Sequence, residues 1–251
     1  MNLSIVDAII VVIILLGGLI GFKNGAIKEG VKFVGIVVIL VISFALKDNL
    51  MVIMYENLPF FDFFGIIRGL SSINILFYQF IAFLVIFAAL TFILRVLLVI
   101  TGLIEWLLKL TIFLRGISKV VGIFVGLLEY YVYVYIALYI LSMPVLNLSY
   151  VANSNLGNNI LENTPILSNL TDNTITVYSN VWDIVKNKEN KSNEEVNTLV
   201  LATLLDNKLI TPSSAKKLID SNKIIINDTS ILDNYQDSGN LYEQIKEKYN
   251  N

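Results

Sequence analysis

The pattern of apolar residues changes near residue 145. Before that point, long apolar runs alternate with short connections that hold most of the charges. A helix needs about 20 mainly apolar residues to cross a bilayer. Four segments meet this length: Leu3–Phe22, Ala26–Leu46, Ile75–Ile100 and Val120–Met143. We therefore predict an all-α, four-helix transmembrane domain over residues 1–145.

Residues 146–251 are rich in Asn, Ser and Asp and predict a soluble C-terminal tail domain. Ser192 and Glu195 have the spacing of a capping box ahead of an apolar run, which marks a helix start. Thr211 followed by Pro212 marks another, because Pro is favoured at the first helical position. The tail is therefore predicted to be mostly helical.

Apolar spacing predicts two more tail helices, over Asn173–Lys186 and Asn240–Tyr249. In the first, three residues are expected to face inward: Val177, Val181 and Ile184. The Asn-rich stretch Asn153–Asn163 is expected to be loose, since it offers few residues to a core. The tail is therefore predicted to be partly disordered.

Two of the connections between spans are themselves apolar. Asn57–Ser72 clusters four phenylalanines around Asp62 and predicts a segment in the outer interface or one that re-enters the bilayer edge. Thr101–Gly116 places Glu105 and Lys109 on one helical face, with leucines on most of the rest. It predicts an interfacial amphipathic helix or a continuation of the third span.

The basic residues of the short connections predict the orientation, because Lys and Arg concentrate on the cytoplasmic side. The first and third connections hold seven of them: Lys23, Lys28, Lys32, Arg95, Lys109, Arg115 and Lys119. The second holds two: Lys47 and Arg68. We expect the first and third connections in the cytoplasm and both termini, with the tail, outside it.

The composition fits a membrane protein and excludes several kinds of site. The 251 residues are 56% hydrophobic and 15% charged, with a mean hydropathy of +0.73; soluble domains average about 25% charged. With no Cys and no His, the chain lacks thiol nucleophiles, disulfides, Cys/His metal sites and Ser-His-Asp triads. No phosphate-binding or dinucleotide motif is present, and a net charge of −2 argues against nucleic acid as a partner. We expect no enzymatic activity and no cofactor.

Small residues recur every fourth position in two spans. The first row is Gly17, Gly21 and Gly25; the second is Ser118, Gly122 and Gly126. Residues four apart share a helix face, and small residues let helices approach closely in lipid. The rows predict a tight helix–helix contact, within the chain or between copies, and Gly25 also suits a turn between the first two spans.

Charged residues inside the spans are candidates for function because they are costly there. Glu129 lies about halfway through the fourth span. It is either a proton or cation site, or a carboxyl that is simply protonated or hydrogen-bonded to Tyr or Ser of a neighbouring helix. Arg95 either pairs with it or extends to the interface, and Asp7 suits a helix cap. A row of tyrosines, at Tyr131, Tyr135 and Tyr139, forms either a packed face or a polar path.

Several of these residues together resemble the colicin V production protein family. The likeness consists of an early Asp, "GFKNG" continuing into "AIKEG", four spans and a glycine row in the last, over residues 1–145. The matching positions are Asp7, Gly21, Gly25, Glu29, Gly122 and Gly126. The family commonly continues the last row with a basic residue and a glycine, where this chain has Glu129 and Tyr130.

The resemblance implies a bacterial cell-membrane protein that assists production or export of a peptide toxin, or maintenance of the envelope. The spans also fit a small oligomeric channel or transporter that uses Glu129 and has its seam at the glycine rows. A third alternative is a membrane anchor whose tail binds an extracytoplasmic partner. The expected partners are the lipid bilayer, a second copy of the chain, and an unidentified membrane or extracytoplasmic protein.

Overall fold

A computed structural model describes residues 4–100, 115–142, 154–229, 232, 235 and 240–250. These residues form α-helices joined by turns and loops, with no strand among them. In chain order the helices are α1 (Ile5–Asn24), α2 (Ala26–Asn57), α3 (Ile73–Ile100), α4 (Arg115–Leu141), α5 (Asn155–Asn163), α6 (Leu167–Lys186), α7 (Asn193–Asp206), α8 (Pro212–Asp220) and α9 (Leu241–Asn250), with a 3₁₀ turn at Gly65–Ile67 between α2 and α3.

The four predicted spans correspond to α1 to α4, which are the helices in the described chain long and apolar enough to cross a membrane. The predicted all-α fold with four spans is confirmed. The main difference is α2, which ends at Asn57 rather than Leu46. Its 32 residues extend about 48 Å, whereas the hydrocarbon core is about 30 Å thick. Its last turns, after Leu46, therefore extend beyond the predicted span.

The first two helices are separated by a single residue. Gly25 ends α1 with φ of +84°, a conformation that strongly favours glycine, and donates its N–H to the Gly21 carbonyl at 2.8 Å. Ala26 then begins α2. The predicted turn at Gly25 is therefore present and consists of this single residue.

Contacts divide the described chain into two compact units. The first contains residues 4–45, 84–100, 115–142 and 154–171, and the second contains residues 46–83 and the described residues from 172 onward. This division reflects contact density and not the solvent around the chain. The membrane domain over residues 1–145 and the tail over residues 146–251 stay predictions.

In the first unit, α5 packs against both α1 and α4. The prediction that Asn153–Asn163 is loose was wrong, since residues 155–163 form this helix. Ser154 caps it by accepting a hydrogen bond from Gly157 N at 2.9 Å, and its inner face buries Ile160 and Leu161. The many Asn residues of this stretch lower its mean hydropathy, although its few apolar residues lie on one helix face.

In the second unit, two predicted helix starts and one predicted inner face are confirmed. The Ser192–Glu195 capping box opens α7, Thr211 caps α8 with Pro212 in its first turn, and three α6 residues are buried as expected: Val177, Val181 and Ile184. Helix α6 begins at Leu167, six residues before the predicted Asn173. In α7, every residue from Val196 to Leu205 is buried. A helix buried all round lies inside a core, so α7 is the central helix of this unit.

Asn197 is the polar centre of that core. Its side-chain oxygen accepts from Ser72 N at 3.1 Å and Ser72 Oγ at 2.7 Å, and its amide donates to the carbonyls of Gly69 and Ile225. A buried amide with four partners is fully satisfied. It fixes the loop before α3 against α7.

The end of α2 is also held within the second unit. Lys223 Nζ donates to the carbonyls of Tyr55, Glu56 and Leu58 at 2.6–3.1 Å, which supplies donors to the free carbonyls at a helix C-terminus. Lys217 pairs with the Glu56 carboxylate at 3.2 Å. The α2 end, the following loop, α7 and α8 therefore form one packed body.

The structure tests the predictions for two segments only in part. The position of Asn57–Ser72 relative to the bilayer stays a prediction; its backbone is held by Asn74, which bonds both the N–H and the carbonyl of Phe61. The amphipathic segment predicted over Thr101–Gly116 lies outside the described residues except for its last two, which begin α4.

Replacement of Asn197 by Ala should destabilise the second unit, because the buried N–H and hydroxyl of Ser72 then lose their partner. We expect the free energy of unfolding to fall by at least about 2 kcal/mol. Denaturant unfolding in detergent micelles, followed by circular dichroism, measures it. The control Asn187→Ala, at an exposed residue, should change it by less than about 0.5 kcal/mol; equal effects of the two variants would contradict this account.

Candidate functional site

The two glycine rows pack against each other within one chain. A Cβ atom added at Gly21 would overlap the carbonyl oxygen of Gly122, and one added at Gly126 would overlap that of Gly17. Helices α1 and α4 are therefore in backbone-to-backbone contact, a distance that only glycine permits.

The same contact continues to the turn at Gly25. Ser118 Oγ of α4 accepts a hydrogen bond from Ala26 N at 3.0 Å, which satisfies one of the free N–H groups at the start of α2. A Cβ at Gly122 would lie 3.0 Å from Ala26 N. The row on α4 thus holds both the end of α1 and the first turn of α2.

This arrangement brings together two glutamates that lie 100 positions apart in the sequence. Glu29, in the first turn of α2, and Glu129, in α4, are 0% and 2% exposed. Their carboxyl groups are close enough to interact with each other. We call these two residues the carboxyl pair.

Each carboxyl of the pair has one oxygen bonded and one free. Glu29 Oε1 accepts from Lys32 Nζ at 2.7 Å and from Asn24 Nδ2 at 2.6 Å, and Glu129 Oε1 accepts from the Tyr133 hydroxyl at 3.1 Å. Glu29 Oε2 and Glu129 Oε2 are buried and have no hydrogen-bond donor among the described residues. The chemistry available here is that of an acid and its conjugate base.

Asp7 forms a separate site, about 21 Å along α1 from Gly21. It is 3% exposed and completes a capping box with Ser4 at the start of α1. It also accepts hydrogen bonds from Ser154 Oγ at 2.5 Å and Leu156 N at 3.1 Å, at the start of α5. One carboxylate thus caps two helix N-termini, where negative charge is favoured.

Arg95 and the tyrosine row do not join the carboxyl pair. Arg95 is exposed and is not among the described partners of Glu129. The tyrosines form a packed face: Tyr131 bonds Thr164 at 2.8 Å, Tyr135 bonds Thr171, and Tyr139 packs edge-on against Phe44 at 5.1 Å.

The residues that contact the pair were only partly visible in the sequence. Tyr133 stands four residues after Glu129 on the same helix, a spacing that puts two side chains side by side. Tyr133 is not part of the regular row that begins at Tyr131. Lys32 stands three residues after Glu29, which also places two side chains together, whereas the position of Asn24 depends on the turn at Gly25.

The comparisons with known proteins agree with this architecture. The model of the colicin V production protein family matches residues 6–165. The chain belongs to this family. A relative described as the uncharacterized transmembrane protein YshB of Bacillus subtilis (strain 168) is 29% identical over 185 residues, which cover 68% of this chain and 98% of the relative. No solved structure matches the chain significantly.

The match to the colicin V production protein family extends further than the resemblance noted over residues 1–145. It ends at residue 165 and so includes α5 and its contact with Asp7. The carboxyl pair and both glycine rows also lie inside it. The helices α6 to α9 lie outside the matched range.

Replacement of Gly21 by Ala should destabilise the contact of α1 with α4, since its Cβ would overlap the backbone of Gly122. We expect a loss of about 1–3 kcal/mol, the usual cost of overpacking. The matched control is Gly30→Ala on α2, where an added Cβ meets no atom within 4 Å; it should be neutral or slightly stabilising. Thermal unfolding in detergent compares the two, and equal midpoints would contradict the close backbone contact.

Proposed function

We propose that this protein is a non-enzymatic accessory of the bacterial cell membrane that assists production or export of a peptide toxin, a bacteriocin, and contributes to maintenance of the envelope. The observation that carries the proposal is the match to the colicin V production protein family over residues 6–165. The matched range contains Asp7, both glycine rows and the carboxyl pair, which are the residues that organise the first unit.

The absence of catalysis is part of this proposal. The sequence has neither Cys nor His, which leaves out thiol nucleophiles and Ser-His-Asp triads. The buried Asp7 carboxylate instead holds helices together through its double cap of α1 and α5.

A second candidate is an ion-coupled channel or transporter. The observation that favours it is the carboxyl pair, because buried ionisable groups inside spans commonly mark ion or proton pathways. If copies associate, their seam must use surfaces other than the glycine rows, which α1 and α4 already bury against each other. The proposed partners are lipid, a second copy, and a membrane or extracytoplasmic protein that crosslinking followed by co-purification would identify.

We further propose that both termini and the tail are extracytoplasmic. The start of α1 contacts α5 through Asp7, and the end of α2 contacts α8 through Lys217. Each contact requires its two members to lie on the same side of the membrane. The Lys and Arg bias toward the other connections supports the cytoplasm as the opposite side.

Deletion of the gene in its host should lower the peptide toxin released into the medium, and the wild-type gene should restore it. A toxin titre of medium and lysed cells, with survival in detergent, measures both parts of the proposal. Unchanged titre and survival would contradict it. Glu129→Gln separates the candidates, because an accessory without transport should still restore release, whereas a transporter that uses this carboxyl should not; Gly30→Ala serves as the neutral control.

The orientation is testable because the chain has no Cys of its own. A Cys introduced at exposed Glu189 in the tail should react with a membrane-impermeant maleimide in intact spheroplasts. A Cys at exposed Lys23, near the first connection, should react only after the membrane is permeabilised. The reverse pattern would place the termini in the cytoplasm.

A further inference from the structure

We propose that Glu29 and Glu129 form a proton-binding site in which one proton is shared between the two carboxyl groups. The proposal concerns the protein itself and does not rest on its role in toxin production. Three observations support it: the burial of both carboxyl groups, their two oxygens that lack a hydrogen-bond donor among the described residues, and the charge of the side chains that bond them.

The geometry requires a donor between the two carboxyls. An ionised carboxylate only accepts hydrogen bonds, yet these two buried carboxyls interact with each other, and each has a buried oxygen without a donor among the described residues. Two like charges held together away from water repel strongly. A proton taken from water onto one carboxylate oxygen turns that group into a donor to the other, and release of the proton restores two carboxylates.

The charge balance indicates one proton and not two. Lys32, whose ammonium bonds Glu29 Oε1 at 2.7 Å, neutralises one carboxylate. The other groups that face the pair are uncharged: the Asn24 amide from α1, and Tyr133 with the neighbouring Tyr130 from α4. With one proton, the cluster contains one acid, one carboxylate and one ammonium, and is neutral. Without it, an unpaired negative charge would be buried among apolar helices.

The ligand count favours a proton over a metal cation. Calcium takes six to eight oxygen ligands and magnesium six, whereas the described residues leave two carboxylate oxygens free. Lys32, whose ammonium bonds Glu29, has a side chain that is 40% exposed near the start of α2. The bound proton can therefore exchange through a group that already contacts the pair.

Infrared spectroscopy of the full chain in lipid vesicles tests this site, because a protonated carboxyl has a carbonyl stretch that shifts in D₂O. At pH 7, exposed Asp and Glu are ionised and do not contribute. We expect a band in the wild type that disappears in both Glu29→Gln and Glu129→Gln, since either amide can donate to the remaining carboxylate. The exposed control Glu189→Gln should leave it unchanged.

The loss in both variants distinguishes sharing from a proton that belongs to one residue. If Glu129 alone were protonated, its band would remain in Glu29→Gln, which would overturn the proposal. A wild type whose spectrum equals that of both variants would also overturn it, and this comparison stands even if one variant is poorly folded. Loss of the wild-type band when sodium replaces choline would show a cation site instead.

Lys32→Gln provides an independent measurement of the charge balance. Without the ammonium, neutrality requires a proton on each carboxyl, so the band area should rise about two-fold. An unchanged area would contradict the role assigned to Lys32. Toxin release does not enter any of these measurements, so failure of this site and failure of the proposed function would be seen separately.

Discussion

The structure of the first unit depends on the backbone contact between α1 and α4. In lipid, helices are not driven together by water, so their association relies on close van der Waals contact and hydrogen bonds. The glycines at positions 17, 21, 122 and 126 remove the side chains that would hold the two helices apart. The contact also places the turn at Gly25 against Ser118, and with it the first turn of α2.

That placement determines what the acidic residues can do. Glu29 would face lipid or water if α2 began at another angle, and Glu129 would be a single buried charge in α4. Brought together, the two carboxyls have one ammonium beside them, that of Lys32, which bonds Glu29. Among the described residues, they lack only a hydrogen-bond donor between them. Asp7 illustrates the alternative outcome, since its carboxylate is fully bonded by two helix starts and so acts as a structural anchor.

The two units are packed in different ways. In the first, small residues and backbone contacts dominate. In the second, the central helix α7 buries ten consecutive residues from Val196 to Leu205, as expected of a core formed by the hydrophobic effect. Its polar members are bonded, Asn197 most completely. The match to the colicin V production protein family covers residues 6–165. It includes the contact between α1 and α4 but not the central helix α7 of the second unit.

The sequence by itself determined the local features: four apolar runs of spanning length, the helix starts at Ser192 and Thr211, and the small-residue spacing. These depend on neighbours within one or two helical turns. Tertiary structure alone decided which surfaces meet. It folded Asn155–Asn163 against α1 and α4, buried α7 on all sides, and joined Glu29 to Glu129. Such contacts between distant residues depend on the crossing of whole helices, which no local pattern encodes.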